Sequence, residues 1–229
     1  MIHSSADSPS RIERRRAART DELVEATLEL VLEEGLAGLT VQRLASRMDW
    51  SVGALYRYFP GKDALLAETQ RRVLTKLHQD ILDDVAAIGM ADEPLAGVLS
   101  ITRRFRRFAL EEPARFHLVS AVLADPRPLV SNEYVGQVAE VLRSLLATVD
   151  QQLEGAALAG QLDVGDASKR TVLLWAGLHG LLQFAKLGRL EARLRQTTVL
   201  AETLADDLLR SWGASPEALA EAHLLLLEL

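Results

Sequence analysis

Residues 35–66 read GLAGLTVQRLASRMDWSVGALYRYFPGKDALL. Thr40 has the side chain of an N-cap. Behind it Val41, Leu44, Ala45 and Met48 fall at i, i+3, i+4 and i+7, the apolar stripe of a short helix. Asp49 and Trp50 predict a turn, Ser51 a second cap, and Pro60-Gly61 the end of the helix that follows. In that helix Val52, Leu55 and Phe59 share one side and face a small core, which leaves Gly53, Tyr56 and Arg57 pointing outward. A glycine in a helix costs about 1 kcal/mol against alanine, so its use here is to let something approach closely. Two helices joined by a tight turn, the second presenting small residues first and Tyr/Arg behind them, fit a helix-turn-helix whose second helix enters the DNA major groove N-terminus first. Arginine pairs bidentately with guanine or with phosphate, and tyrosine hydroxyls suit phosphate oxygens.

On the N-terminal side, Thr20 followed by Asp21 and Glu22 predicts the start of a helix with Leu23, Ala26, Thr27, Leu30 and Val31 inward, ending near Gly35. On the C-terminal side a long helix is expected from Lys62 to about Ile88, with Leu66, Val73, Leu77, Ile81, Val85 and Ile88 inward. It joins the small domain to a larger one. Proline, glycine and aspartate punctuation then places helices near 94–110, 113–124, 132–159, 167–187 and 197–212, with a short one after Pro216. The leucine-rich end of that tail calls for cover by the body or by a partner subunit. No run of alternating β-branched residues bounded by turn signals occurs. The fold class is all-α.

The whole chain has 229 residues, 48% of them apolar, and a formal net charge of −6. That acidity speaks against a nucleic-acid partner until its distribution is read. Residues 1–76 hold 12 Lys/Arg against 11 Asp/Glu, net +1, and residues 77–229 hold 14 against 21, net −7. Within the first part RIERRRAAR, residues 11–19, has five arginines to one glutamate, which suits either an arm in the adjacent minor groove or a solvated helix lead-in. There is no cysteine, so disulfide and thiolate chemistry are excluded. MIHSSADSPS has no apolar leader, and the longest uncharged run, 171–185, is shorter than the roughly 18–20 residues of a membrane span. A cytoplasmic protein without a membrane partner is expected.

The stretch 35–66 resembles the helix-turn-helix of the tetracycline-repressor (TetR) family of bacterial transcription regulators. The resemblance is carried by Thr40, Leu44-Ala45, Ser51, Gly53, Leu55-Tyr56, Tyr58-Phe59, Lys62 and Leu65. It implies a homodimer with a three-helix DNA-binding domain and a variable helical C-terminal domain that binds a small effector and releases a double-stranded DNA operator. By that resemblance residues 1–18 form a flexible basic arm, 19–66 the DNA-binding domain, and 67–229 the ligand-binding and dimerisation domain. Thr40 and Arg43 would contact phosphate, Ser51, Val52 and Gly53 would sit at the groove, Tyr56 would reach bases or backbone, and Tyr58 and Lys62 would hold phosphates. Arg57 stands where the family varies and is the candidate for sequence readout. Asp49 replaces the usual turn glycine, Trp50 a small aliphatic residue, and Ala54 a common polar residue. Aspartate tolerates a left-handed backbone better than most residues. These departures keep open an alternative, a helical binding module that has lost operator recognition.

Past residue 75 the resemblance is general. GQLDVGDASKRTVLLWAGLHGLLQFAKL, 160–187, is similar to the penultimate helix of many members, which with the last long helix packs against its copy as a four-helix dimer interface. On this helix Trp175, His179 and Gln183 fall at steps of four. With Phe105, Phe108, Phe116 and His117 they would line an apolar effector pocket with a few polar anchors. Dimer packing accounts equally well for that face, and for Gly177 and Gly180. His117 and His179 lack metal-ligand spacing, so neither a metal nor a cofactor is expected. No nucleophile elbow or phosphate loop is present. Asp83-Asp84 and Glu111-Glu112 are adjacent pairs that point to different sides of a helix, and an enzyme is not expected.

Overall fold

Ser10-Arg11-Ile12-Glu13 forms a capping box in the computed structural model, which describes residues 10–89, 93–124, 132–184, 190 and 196–227. The Glu13 N–H donates to Ser10 Oγ at 3.2 Å, and the Ser10 N–H donates to the Glu13 carboxylate at 2.7 Å. These bonds satisfy donors that a helix start otherwise leaves bare, and helix α1 runs Arg11–Gly38. Two expectations are corrected. The helix does not begin at Thr20, whose hydroxyl instead donates to the Arg16 carbonyl at 3.0 Å as a mid-helix threonine does. Residues 11–18 are exposed helix rather than flexible arm, and 1–9 lie outside the described residues. The break expected near Gly35 is present as a positive φ of 71°.

The remaining helices are α2 Val41–Arg47, α3 Val52–Tyr56, α4 Lys62–Ile88, α5 Pro94–Glu111, α6 Pro113–Ala124, α7 Asn132–Leu158, α8 Ala167–Phe184, α9 Thr197–Ser211 and α10 Pro216–Leu225. The end expected for α8 at 187 falls outside the described residues. No strand occurs among those described. In the N-terminal bundle every side chain expected inward on α1 is buried: Leu23, Ala26, Thr27, Leu30 and Val31. Leu44, Ala45, Leu55 and Phe59 close on them from α2, α3 and the turn after α3.

Helix α4 belongs to both halves of the molecule. Its first turn is tied to the bundle by Lys62 Nζ, which donates to the Leu36 carbonyl at 3.1 Å. Its later turns bury Val73, Leu77, Ile81 and Val85 and pack against α5 and α7. A second bridge between the halves joins α6 to α1, where Arg115 pairs with Glu25 at 2.8 Å. The C-terminal leucine run is only partly covered by the body: Leu225 and Leu226 pack against the core, whereas Leu224 and Leu227 stand exposed. In α10, which packs against α5, Leu219 and Ala222 are buried, and Arg103 of α5 donates to the Leu226 carbonyl at 3.1 Å.

Candidate functional site

The turn between α2 and α3 decides whether the two short helices hold a reading geometry. Met48 caps α2, and Asp49 takes φ 54°, the one positive φ at a non-glycine residue among those described. The Asp49 N–H then reaches the Ser46 carbonyl at 3.2 Å and the Trp50 N–H the Ala45 carbonyl at 2.8 Å, the paired bonds of a Schellman ending. Trp50 packs at a tilt against Tyr58 with ring centroids 5.3 Å apart, and the Arg19 guanidinium lies over the Trp50 ring, 5.7 Å from its centroid. The two departures from the family pattern at this turn are therefore built into it. Asp49 supplies the left-handed residue, and Trp50 fixes both the turn and the adjacent stretch of α1.

Around this turn the expected DNA-contact residues divide by what already holds them. Thr40 and Ser51 cap α2 and α3, accepting from the N–H groups of Arg43 (3.2 Å) and Ala54 (3.1 Å). Both are exposed, and each hydroxyl keeps its own hydrogen to donate. Arg43 is paired with Glu34. Arg47 spans Glu29, at 3.4 Å, and Glu33 on α1; its guanidinium holds the Glu33 carboxyl below the usual carboxylate range. Arg57 is exposed at the end of α3, and its side chain makes no hydrogen bond or ion pair with any described residue. Tyr56 is 49% exposed, whereas Tyr58 is half-buried against Trp50. Val52 is half-buried beside exposed Gly53, and a side chain at Gly53 would meet nothing of the protein within 4 Å. The missing Cβ relieves no internal crowding; it leaves room for an outside surface.

For residues 11–19 the sequence left an arm and a solvated helix lead-in both open, and the structure shows a helix. Arg11, Arg15 and Arg16 stand on exposed turns of α1, and Arg19, on the same helix, is held over Trp50. The basic run is thus a helix fixed beside the turn. The signal was in the sequence as Ser10-x-x-Glu13.

A cavity occupies the middle of the C-terminal half. Its volume is about 40 Å³. Its wall is formed by Leu74, Leu77 and Ile81 of α4, Thr102 and Phe105 of α5, Val119 of α6, Leu145 and Val149 of α7, and Thr171, Leu174, Trp175 and Leu178 of α8, among others. Of the expected effector residues, Phe105 and Trp175 line it. Phe108, Phe116 and His179 stand behind them as an aromatic cluster, with Phe116 to His179 at 5.4 Å, Trp175 to His179 at 6.0 Å and Phe108 to Phe116 at 6.1 Å. Gln183 Nε2 lies 3.4 Å from His179 Nε2. Burial pushes the His179 imidazole below its ordinary pKa, and its Nδ1 is buried without a partner.

His117 is a correction: it is exposed and away from the cavity. Consecutive residues lie about 100° apart on a helix, and α6 turns Phe116, Leu118, Val119 and Ser120 inward instead. The α4 and α7 wall and the two threonines were not foreseen, because an apolar helix face has the same periodicity whether it meets a neighbour or a void.

The two faces of α8 are distinct. The Trp175/His179 side faces inward. Val172, Leu173 and Phe184, with Val199 of α9, stand more than half exposed. Gly177 serves packing within the chain, since a Cβ there would come within 3.0 Å of Leu204 of α9, whereas one on Gly180 would meet nothing.

A family model described as "Bacterial regulatory proteins, tetR family" matches residues 23–69, and one described as "Tetracyclin repressor-like, C-terminal domain" matches residues 98–208. The HTH-type transcriptional regulator BetI 2 of Chromohalobacter salexigens is 31% identical over 208 residues, spanning 87% of this chain and 93% of its own length. Two solved structures share the fold. The transcriptional regulator FadR from Bacillus subtilis, in complex with stearoyl-CoA, is 15% identical with TM-score 0.67, over 82% of this chain and 97% of its own. A TetR family transcription regulator from Marinobacter aquaeolei is 21% identical with TM-score 0.62, over 85% and 97%.

Proposed function

The chain belongs to the tetR family of bacterial regulatory proteins, and from that premise we propose that it is a homodimeric repressor, released from a palindromic operator by a small apolar effector. The observation that carries this is the position of α4. The helix whose first turn is bonded to the reading head through Lys62 also forms a wall of the cavity with Leu74, Leu77 and Ile81. With only about 40 Å³ of cavity volume, any ligand of useful size must part the surrounding helices. Displacing α4 moves the head to which it is tied. An effector that binds the parted arrangement better lowers operator affinity by that preference and no more.

Thr40, Arg43, Tyr58 and Lys62 would hold phosphates, Ser51, Val52 and Gly53 would meet the groove, Tyr56 would reach bases or backbone, and Arg57 would read sequence. Arg43 would exchange Glu34 for phosphate. The exposed apolar strip on α8 and α9 is the surface we assign to the second subunit, since an uncovered patch of that kind is unfavourable in water. A dimer places two reading heads one or more helical turns of DNA apart, which calls for a two-fold symmetric site. The fold neighbour solved with stearoyl-CoA supports a ligand-holding role for the larger domain.

Selection of bound duplexes from a randomised DNA library at low and moderate salt tests this function. A two-fold symmetric enriched motif is the expected result, with affinity falling by a log–log slope of roughly −0.9 per phosphate contact as salt rises. No enrichment at any salt, from protein denatured and refolded to strip bound ligand, would overturn it.

A further inference from the structure

We propose that the cavity takes an uncharged, largely apolar molecule with a single hydroxyl or carbonyl group, and that Thr171 holds that group. This deepens the effector-site assignment above and rests on it. Among the described residues, no charged one lines the cavity. The only polar side chains among its described lining are Thr102, Thr171 and Trp175, and the indole N–H of Trp175 is a donor without charge. A carboxylate or ammonium placed here would lose its water and gain no counter-charge, which is far costlier than burying a neutral group that finds one hydrogen bond.

Thr171 differs from the other buried threonines inside helices. Thr27, Thr69, Thr102 and Thr148 each donate to the carbonyl four residues earlier, at 2.7, 2.8, 3.1 and 3.2 Å. Thr171 is 2% exposed, and its Oγ1 has no partner among the described residues. A buried hydroxyl left unpaired destabilises the fold that holds it. It is also both donor and acceptor, so it can serve an alcohol or a carbonyl. Thr102, on the facing helix, is already satisfied. Behind the wall, burial pushes the His179 imidazole below its ordinary pKa, which disfavours the cation that an anion would need.

The test follows the full-length protein with the neutral fluorescent reporter N-phenyl-1-naphthylamine, displaced in turn by 1-octanol, octanoate and octylammonium at pH 7.5. Reporter uptake with displacement by octanol at concentrations about tenfold lower than by either ion is expected. Thr171→Val should weaken octanol about fivefold while leaving reporter affinity unchanged, and Thr171→Ser should restore it. Because the valine removes an unpaired buried hydroxyl, the same variant should melt about 3 °C higher, so loss of octanol binding cannot be blamed on misfolding. Octanoate or octylammonium matching octanol, or unchanged octanol affinity in Thr171→Val, would overturn the assignment while leaving the effector site standing. Absence of reporter uptake would remove the effector site itself, and this inference with it.

Discussion

Asp49 carries the turn between the two short helices at φ 54°, a conformation that costs an ordinary L-residue roughly 1–2 kcal/mol and glycine almost nothing. Asp49→Gly should therefore raise stability by about 0.5–1 kcal/mol, and Asp49→Val should lower it by about 1–2 kcal/mol, both read from urea midpoints at constant m-value. A stabilising valine would show that the left-handed residue is not what holds the turn. The basic side chains of the same domain differ in their freedom. Arg47 is bound to α1 by two glutamates, Arg43 to Glu34, and Lys62 to a backbone carbonyl, whereas the Arg57 guanidinium is bound to no described residue. Arg57→Ala should relax base preference at one or two positions per half-site, at about 1–3 kcal/mol, without loss of fold. Lys62→Ala should weaken all DNA sequences alike and also cost about 1 kcal/mol of stability, because its ammonium caps the Leu36 carbonyl. Binding-site selection on each variant, paired with urea unfolding, checks both, and uniform loss in Arg57→Ala would reassign that residue to the DNA backbone.

At the scale of one helix, α1 shows how a cap sets what a charged segment can do. The exposed turns 11–18 bury no apolar stripe, and the Ser10–Glu13 box is what closes their N-terminal end. Ser10→Ala should cost about 1 kcal/mol of local helix stability, seen as faster amide hydrogen exchange over residues 11–18 with the bundle core unchanged. If exchange there is unaltered, the cap does not order the basic run. The starts of α2 to α6 were legible in the sequence because Thr40, Ser51, Pro60-Gly61, Pro94 and Pro113 are local signals, whereas α3 stops at Tyr56, short of the end expected at Pro60-Gly61. The start of α1 was misplaced because Thr20 and Ser10 are both cap-type residues, and only hydrogen bonding tells a cap from a threonine bonded back to its own helix. On α8 the sequence placed Trp175, His179 and Gln183 on one face but left pocket and subunit contact equally open. The inward turn of that face, with Val172, Leu173 and Phe184 outward, was settled by the neighbours the helix meets.

Across the whole molecule, two half-buried histidines link the larger domain to pH. Burial depresses the His78 and His179 imidazoles below their ordinary value of 6.5. His78 meets the Thr148 hydroxyl at 2.9 Å across α4 and α7, and His179 meets Gln183 and the aromatic cluster. With folded-state values below the unfolded ones, the unfolded chain takes up these protons first as pH falls. Their stability is thus fully present above about 6.5 and is lost as pH falls through 6.5 toward the depressed values. Urea midpoints should drop between pH 7.5 and 5.5, and His78→Gln with His179→Gln should flatten that drop; an unchanged profile in the double variant would assign it to other groups. The helical class, the helix-turn-helix and its outward Gly53-Tyr56-Arg57 face were determined by the sequence alone, because caps, turns and helical periodicity operate over a few residues. The cavity, its α4 and α7 walls, the exposure of His117 and the unpaired hydroxyl of Thr171 were decided only by the tertiary structure. A side chain's partner, or its lack of one, depends on helices far apart in the chain, and an apolar stripe packs against a neighbour or borders a void with the same spacing.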